Sequence, residues 1–416
     1  MATASPRKIT VIGAGIVGTA TACYLQRDGH SVTLVEREEP GKMTSFGNAG
    51  GISPGSVVPI ATPGMINQIP KWLADPEGPL FVRLTYLPQV LPWLVRFLLE
   101  SRRSRVAEIS RALSALNGPT FEAYQPLLKE AGVENLFHRT GQLFLYHSAE
   151  GMQKDSFGIE LRRAAGNRLD VLNKDEIRQL EPALAPVFDT GFLMPDHGHC
   201  KDPFGLVQAL AASFVRNGGT LLKREVRGFG MGPNGPHTLV TDQGPMPLET
   251  VVIAAGAWSG ELTKQLGHSV PLESHRGYHM TIEDPGVMPR LMVFPVDYKF
   301  AITPMSMGLR VGGTVELAGL KAGPNYERAR VLGRTAQRLI PGLRLDKYTE
   351  WMGHRPCHPD SLPVIGPSPR WGNVFFAFGH GHQGLLGASN TAKVLAEVIG
   401  GRAPSMDLTP FRVDRF

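Results

Sequence analysis

Lys8–Gly18 (KITVIGAGIVG), Thr19–His30 (TATACYLQRDGH) and Ser31–Glu36 (SVTLVE) decide the fold. Lys8–Ile12 is a short apolar run with strand character. From Gly15 to Gln26 small and apolar residues recur at helical spacing, Gly29 stops the helix, and Ser31–Glu36 reads as a second strand. The unit is strand, helix, strand, with a GxGxxG at its first turn. Gly13 permits the tight turn, Gly15 lets backbone approach a pyrophosphate, and Gly18 lets helix and strand pack closely. The helix N-terminus then faces an anion. Glu36, closing the second strand, is placed to accept ribose hydroxyls, and its charge disfavours a 2′-phosphate, which argues against NADP. The motif alone does not separate NAD from FAD.

The rest of the chain must accommodate this unit. At 416 residues it is long enough for two to three domains. Hydrophobic residues at 42% and charged residues at 19% exclude a disordered chain. Lys and Arg outnumber Asp and Glu, 43 to 37, giving +6. No run of five basic residues appears, so nucleic acid is not the expected partner. A solvated basic surface, or a face for anionic lipid or an acidic substrate, accounts for the excess. The three cysteines, Cys23, Cys200 and Cys357, are scattered without a CxxC, which points to a reducing compartment, the cytoplasm. The run ITVIGAGIVG is a strand and turn, not a signal peptide. Pro79–Leu99 is the most apolar stretch, but Arg83, Arg96 and three prolines interrupt it, so it is not expected to span a membrane. It reads as a buried helical pair or as a peripheral contact with the inner membrane face.

Residues 40–65 form a long loop rich in Gly, Ser, Asn and Pro, and a loop of that length is usually functional. Residues 85–130 read as helical and 139–147 as a strand. Asp202-Pro203 starts a helix, with Asp202 as N-cap, that runs to about Asn217. Thr220–Val226 is a strand, 236–253 holds short strands, and 275–316 is strand-rich. Residues 327–340 are helical. Val374–Phe378 is a strand, followed by a glycine-rich turn and a helix from about Ser389 to Ile399. The order predicts a discontinuous two-domain chain, α/β at its ends and middle with a β-rich insertion.

The loop Thr44–Ile52 (TSFGNAGGI) can set several backbone N–H groups against a cofactor. The βαβ unit with Glu36, the stretch TSFGNAGGISPG with VPIATPG after it, VVIAAGAWS (251–259), GLRVGGTVE (308–316), GHRPCHPDSLPVIG (353–366) and FGHGHQGLLGAS (378–389) together resemble the D-amino-acid oxidase/glycine oxidase family of FAD enzymes, on its D-amino-acid dehydrogenase small-subunit branch. The resemblance implies a Rossmann-like FAD-binding domain (1–85, 195–270 and 345–416) and a β-rich substrate domain of antiparallel sheet plus helices (86–194 and 271–344), the glutathione-reductase/DAO type. It implies that Gly13, Gly15, Ile16, Val17, Gly18, Glu36 and Arg37 hold the ADP half of FAD. Thr44, Ser45, Asn48, Ala49, Gly50, Gly51 and Ile52 line the pyrophosphate and isoalloxazine, and Val226 reads adenine through its backbone. Gly256 and Trp258 lie near the ribityl chain, while Gly353, Gly379, His380, Gly381, Gly384 and Leu385 follow the flavin ring. Two positions depart from the family: His382-Gln383-Gly384-Leu385 stands where some relatives carry Thr-Leu-Gly-Trp, and Cys357 follows the Arg-Pro pair.

The implied reaction is FAD-dependent oxidative deamination of a D-amino acid, with hydride passing from Cα to flavin N5 and electrons then passing to a quinone or other acceptor. This is a positioning problem more than a proton-transfer one. The substrate carboxylate calls for an arginine fork, and Arg276, Arg310 and Arg355 are the candidates. Tyr278 shares a face with Arg276. Tyr278, His279 and Tyr298 could bond the substrate or fence it from water, and His380 lies on the flavin turn. A helix start near Ser389 could aim its positive end at the flavin pyrimidine. His380 and His382 have no carboxylate nearby in sequence, and His197, His199, Cys200 and Asp202 read as loop and N-cap, so no metal is called for. Some relatives link FAD through Cys or His, but neither Cys200 nor Cys357 is clearly placed for that. Secondary or cyclic amines (D-proline, hydroxy-D-proline, sarcosine, glycine) would use the same geometry, and a non-catalytic FAD-bound subunit is the reading from another class.

Overall fold

The computed structural model describes residues 6–416. Its first layer is a six-stranded sheet in the order Thr220–Lys223, Ser31–Glu36, Lys8–Ile12, Thr250–Ile253, Val374–Phe378, Val364–Pro367. All neighbours are parallel except the last pair. Thr250–Ile253 shows why this is a central strand. Val252 packs with the helices Ile16–Arg27, Pro203–Arg216 and Gly384–Ile399, while Val251 and Ile253 pack on the other face with Leu239, Leu248 and Leu262. Successive side chains point to opposite faces, so a strand covered on both sides reads as an unbroken apolar run.

The second sheet is largely antiparallel. Its strands run Tyr348–Cys357, Glu273–Ile282, Gly308–Leu317, Phe300–Met305, Met292–Pro295, Gln142–Tyr146, Thr190–Met194 and Asp170–Asn173, with Leu80–Val82 beside Gly308–Leu317. The helix Glu327–Leu339 covers one face through Leu332, Ala336 and Leu339 against Met280, Ile282, Leu309 and Val311. The other face looks toward the glycine-rich loop and the parallel sheet.

Most expected elements form, and Asp202 caps its helix by accepting a bond of 2.8 Å from the Gly205 N–H. Three readings change. The final helix begins at Gly384, not near Ser389, and Ser389 is buried in its interior. Gly387 packs closely on Leu116 there, and tertiary packing overrides the weak local propensity of glycine. The expected strand 220–226 breaks at Arg224, whose N–H donates to the Glu36 carbonyl, and a new strand starts at Val226. Packing also departs from the expected boundaries. The helices Arg103–Asn117 and Thr120–Ala131 join the core of the parallel sheet, and Tyr348–Cys357 belongs to the antiparallel one.

Candidate functional site

A cavity of 2340 Å³ runs from the glycine turn to the antiparallel sheet. At one end Gly13 adopts φ 101, a left-handed conformation, and a Cβ there would lie 2.5 Å from the Ala254 carbonyl oxygen. Gly18 does not line the cavity; a Cβ on it would overlap the Gly13 carbonyl, so its role is packing. Gly15 caps the helix without a side chain, and Gly13, Gly15, Ile16 and Val17 line the wall. The Ser45 hydroxyl accepts from the Ile16 N–H at 2.9 Å, bringing the loop onto the helix start. Glu36 lines the same end; its carboxylate accepts from the Ala14 N–H at 2.7 Å and the Glu38 N–H at 3.0 Å. Arg37 lies 4.1 Å from the centroid of the Trp258 ring, and both line the cavity with Val226 and Gly256. A helix N-terminus capped by a glycine, beside a carboxylate, fits the pyrophosphate and ribose of a dinucleotide.

The loop lies along the middle of the cavity. Thr44, Ser45, Asn48, Ala49 and Gly51 line it. Gly50 and Ile52 do not: Ile52 is buried, and a Cβ on Gly50 would press the Cys200 carbonyl oxygen at 2.5 Å. Gly353 does not line the cavity either: it shares a face with Trp351 and Arg355, but the Trp351 ring covers it. Gly379, His380, Gly381, Gly384 and Leu385 line the far wall. His380 is buried and pairs its Nε2 with the Thr391 hydroxyl at 2.9 Å; burial holds its imidazole down at about 3, so it is neutral.

The three candidate arginines separate cleanly. Arg310 is buried outside the cavity, and its guanidinium donates to the carbonyls of Phe46 at 3.0 Å and Asn48 at 2.8 Å and to the Thr281 hydroxyl at 3.1 Å. It pins the glycine-rich loop and has no reach to a substrate. Arg276 is fully buried against Glu316, Nη1 to Oε2 at 3.2 Å, and donates to the Ala322 carbonyl at 2.6 Å. Tyr278 lines the cavity, but its hydroxyl donates to the same Glu316 carboxylate while accepting from the Asn325 N–H at 3.0 Å. Burial, with Glu316 beside it, pushes that phenol up to about 12. Arg276 and Tyr278 are therefore parts of one buried ionic cluster.

Arg355 is different. It lines the cavity, and among the described residues no carboxylate lies within 4.0 Å of it. Its Nη1 and Nη2 donate only to the carbonyls of Thr314 at 2.8 Å and Gly313 at 3.2 Å. Burial lowers its pKa to about 10. The guanidinium lies flat over Gly277, where any Cβ would overlap it. Thr314 is held at φ 50 with its hydroxyl buried and unpartnered, a strained conformation for a β-branched residue of the kind found at functional sites.

Sequence reasoning missed Gly277 and the meeting of His275, Cys357 and His382, and it named His279 and Tyr298 without their partners. Gly277 reads as a weak strand residue, yet it makes the bed for Arg355. His279 stacks on Trp351 with ring centroids 5.0 Å apart and bonds the Gly47 carbonyl through Nδ1 at 3.1 Å. Tyr298 lines the cavity and meets His147 Nε2 at 3.1 Å. His275, Cys357 and His382 present ligand atoms all within 4.8 Å of one another. The tempting His197 and His199 do not meet Cys200 and Asp202 as a cluster: His197 accepts from the Gly55 N–H at 3.0 Å and holds Gln142.

With this geometry in place, comparison with known proteins identifies the class. The family model described as FAD dependent oxidoreductase, DAO, matches residues 8–398. A D-amino-acid oxidase of Bradyrhizobium diazoefficiens is 39% identical over 99% of both chains. A D-amino acid dehydrogenase of Rhizobium rhizogenes is 32% identical over 98% of this chain and all of that one. Among solved structures, L-proline dehydrogenase from P. horikoshii superposes with a TM-score of 0.75 at 22% identity, covering 99% of this chain and 98% of that one. Glycine oxidase from Geobacillus kaustophilus gives 0.74 at 23%, covering 99% and 100%. The chain belongs to the DAO family of FAD-dependent oxidoreductases, and the fold expected from the sequence is the fold found.

Proposed function

We propose that this chain oxidatively deaminates D-amino acids, binding the substrate carboxylate on Arg355. One observation carries the reading: a half-buried cation faces the cavity with no acidic partner, whereas Arg276 is paired with Glu316 and Arg310 is turned onto loop carbonyls. The full-length relatives named for D-amino acids support the substrate class. Bound FAD supplies the hydride acceptor. Gly13, Gly15, Ile16, Val17, Glu36, Arg37 and the loop 44–51 hold the cofactor, and the Arg310 guanidinium fixes that loop by its two carbonyl bonds. The free N–H groups of Arg355 grip the carboxylate, and the carbonyls of Gly313 and Thr314 fix the fork's direction. Trp351 and Tyr298 wall the pocket from water. The resulting imine is hydrolysed by water to a 2-oxo acid and ammonia.

The test is anaerobic mixing of the FAD-bound protein with D-amino acids, L-amino acids, sarcosine and cyclic D-imino acids while following flavin absorbance. D-amino acids should bleach it and L-enantiomers should not. Arg355→Met should lower kcat/KM about 30- to 1000-fold, the loss expected when a charged, hydrogen-bonded partner of a carboxylate is removed. Bleaching by cyclic or secondary amines alone would move the substrate class, and a flavin that no amine bleaches would favour a non-catalytic subunit.

A second reading concerns the electron acceptor. The helix Leu87–Leu99 buries Val90, Trp93 and Phe97 on one stripe and leaves Leu91, Val95 and Leu99 half exposed on the other, beside Leu84 at 82%. Leu84, Leu87, Leu91 and Val95 also line the mouth of the cavity. Among the described residues no helix is long and apolar enough to cross a membrane. An apolar rim at the mouth suits peripheral contact with a bilayer and a lipophilic quinone as acceptor. The protein should then sediment with anionic phospholipid vesicles, Leu91→Asp should lose most of that binding, and a quinone should reoxidise the flavin faster than oxygen. Oxygen as the faster acceptor, without vesicle binding, would make the chain an oxidase, as its 39% identical relative is named.

A further inference from the structure

We propose that His275, Cys357 and His382 form a three-ligand site for a thiophilic divalent cation of the zinc class, open on its fourth side to the substrate end of the cavity. The three ligand atoms lie within 4.8 Å of one another although their residues come from three separate elements. His275 lies directly opposite Arg355 on the paired strands, and Cys357 is two residues beyond Arg355, so all three side chains share one face of the sheet. His382 reaches the same point from the turn after Val374–Phe378.

A second observation points to a missing ligand. His275 is buried at 4% exposure, and neither of its ring nitrogens has a partner. A buried imidazole left unpaired has lost its water with no partner in exchange, and such a group calls for an explanation. Trp93, edge-on at 4.9 Å between ring centroids, offers it no acceptor.

Two imidazoles and a thiol make a borderline-soft donor set, the chemistry of zinc rather than of magnesium or calcium. Tetrahedral zinc holds nitrogen at about 2.0–2.1 Å and sulfur at about 2.3 Å, which places ligand atoms about 3.3–3.8 Å apart. The cluster must contract by about 1 Å. His382 can supply that movement, because it is exposed on the cavity side and lies between Gly381 and Gly384. Binding displaces the Cys357 thiol proton to solvent, leaving a metal–thiolate of charge +1. Beside Arg355 this centre favours an anion as fourth ligand, so zinc should occupy the end of the cavity where a substrate carboxylate would bind and compete with it.

The experiment uses the purified FAD-bound protein and zinc itself. Competition against a chromophoric chelator measures affinity without any substrate, and zinc-edge X-ray absorption reads the ligands. The expected result is one zinc per chain with one sulfur at about 2.3 Å and two imidazole nitrogens at about 2.0–2.1 Å. Cys357→Ser should abolish the sulfur shell, and Cys357→Ser and His382→Gln should each weaken binding by more than about 100-fold, beyond the loss usual for an outer-shell partner. Retained FAD and unchanged circular dichroism show that a variant has folded, and His382→Gln changes only a side chain exposed on a turn. Absence of stoichiometric zinc, or zinc bound equally by both variants or without sulfur, overturns the site. Because binding is read without turnover, this outcome is independent of whether D-amino acids are the substrate.

Discussion

The orientation of Arg355 depends on atoms that are absent as much as on those present. Gly277 has no Cβ, and the guanidinium occupies the volume that one would fill. Thr314 turns its carbonyl onto the same guanidinium from a strained backbone at φ 50. A displaced fork would still be charged and would still bind carboxylates, but at the wrong angle. Gly277→Ala should therefore lower kcat/KM about 100-fold, the cost of a misplacement on the order of 1 Å at a positioning residue. Steady-state kinetics with FAD content held equal checks it. A purely structural role would reduce FAD content or solubility in proportion to activity, whereas the expected outcome is full flavin with poor turnover. The other two arginines show why charge alone does not mark a binding site. Both are more deeply buried than Arg355, but Arg276 spends its charge on Glu316 and Arg310 spends its donors on loop carbonyls.

At the scale of elements, the strand–turn–helix at the N-terminus positions the cofactor end through packing that tolerates no added atom. A Cβ on Gly18 would overlap the Gly13 carbonyl, so Gly18→Ala must push the helix Ile16–Arg27 off the strand Lys8–Ile12. We expect a loss of about 1–3 kcal/mol in stability, the usual cost of overpacking, and release of FAD during gel filtration. A flavin-to-protein absorbance ratio unchanged from wild type would contradict this. That turn was legible in the sequence because its constraints are local: three glycines, one acid and two apolar runs lie within 36 residues. The choice among arginines was not legible. Arg310 meets carbonyls 264 and 262 positions away, and no spacing rule reaches that far. The start of the final helix was misread for a related reason. Gly384 and Gly387 look like breakers locally, but close packing of Gly387 on Leu116 favours a residue without a side chain. His275, Cys357 and His382 escaped notice because strand pairing and a chain reversal bring them together.

For the whole molecule, the distribution of histidines sets the response to acid. Burial holds His197, His358 and His380 down at about 3, and His199 and His354 at about 4, all below the ordinary value of 6.5. In the folded chain these imidazoles are neutral; in the unfolded chain they protonate once the pH falls below about 6.5. The unfolded state then binds more protons, so stability rises with pH across this window. The stabilisation is fully present above about 6.5 and is lost as the pH falls toward 4 and then 3. Each such group contributes a slope of up to about 1.4 kcal/mol per pH unit. Five acting together can exhaust a net stability of about 5–15 kcal/mol before any reaches its folded pKa. The groups lie in the antiparallel sheet (His354), in the short strand Gly198–Cys200 (His199) and in the turns around them (His197, His358, His380), so the loss should be cooperative rather than confined to one edge. Thermal unfolding followed by circular dichroism should show a melting temperature flat from pH 8 to about 7, then falling steeply, with unfolding at room temperature near pH 5. Replacing His197 by Gln, which can still accept from the Gly55 N–H, should make the acid limb shallower by up to about one proton's slope. A melting temperature that held level down to pH 4 would mean that these imidazoles are not neutral and buried as the structure has them.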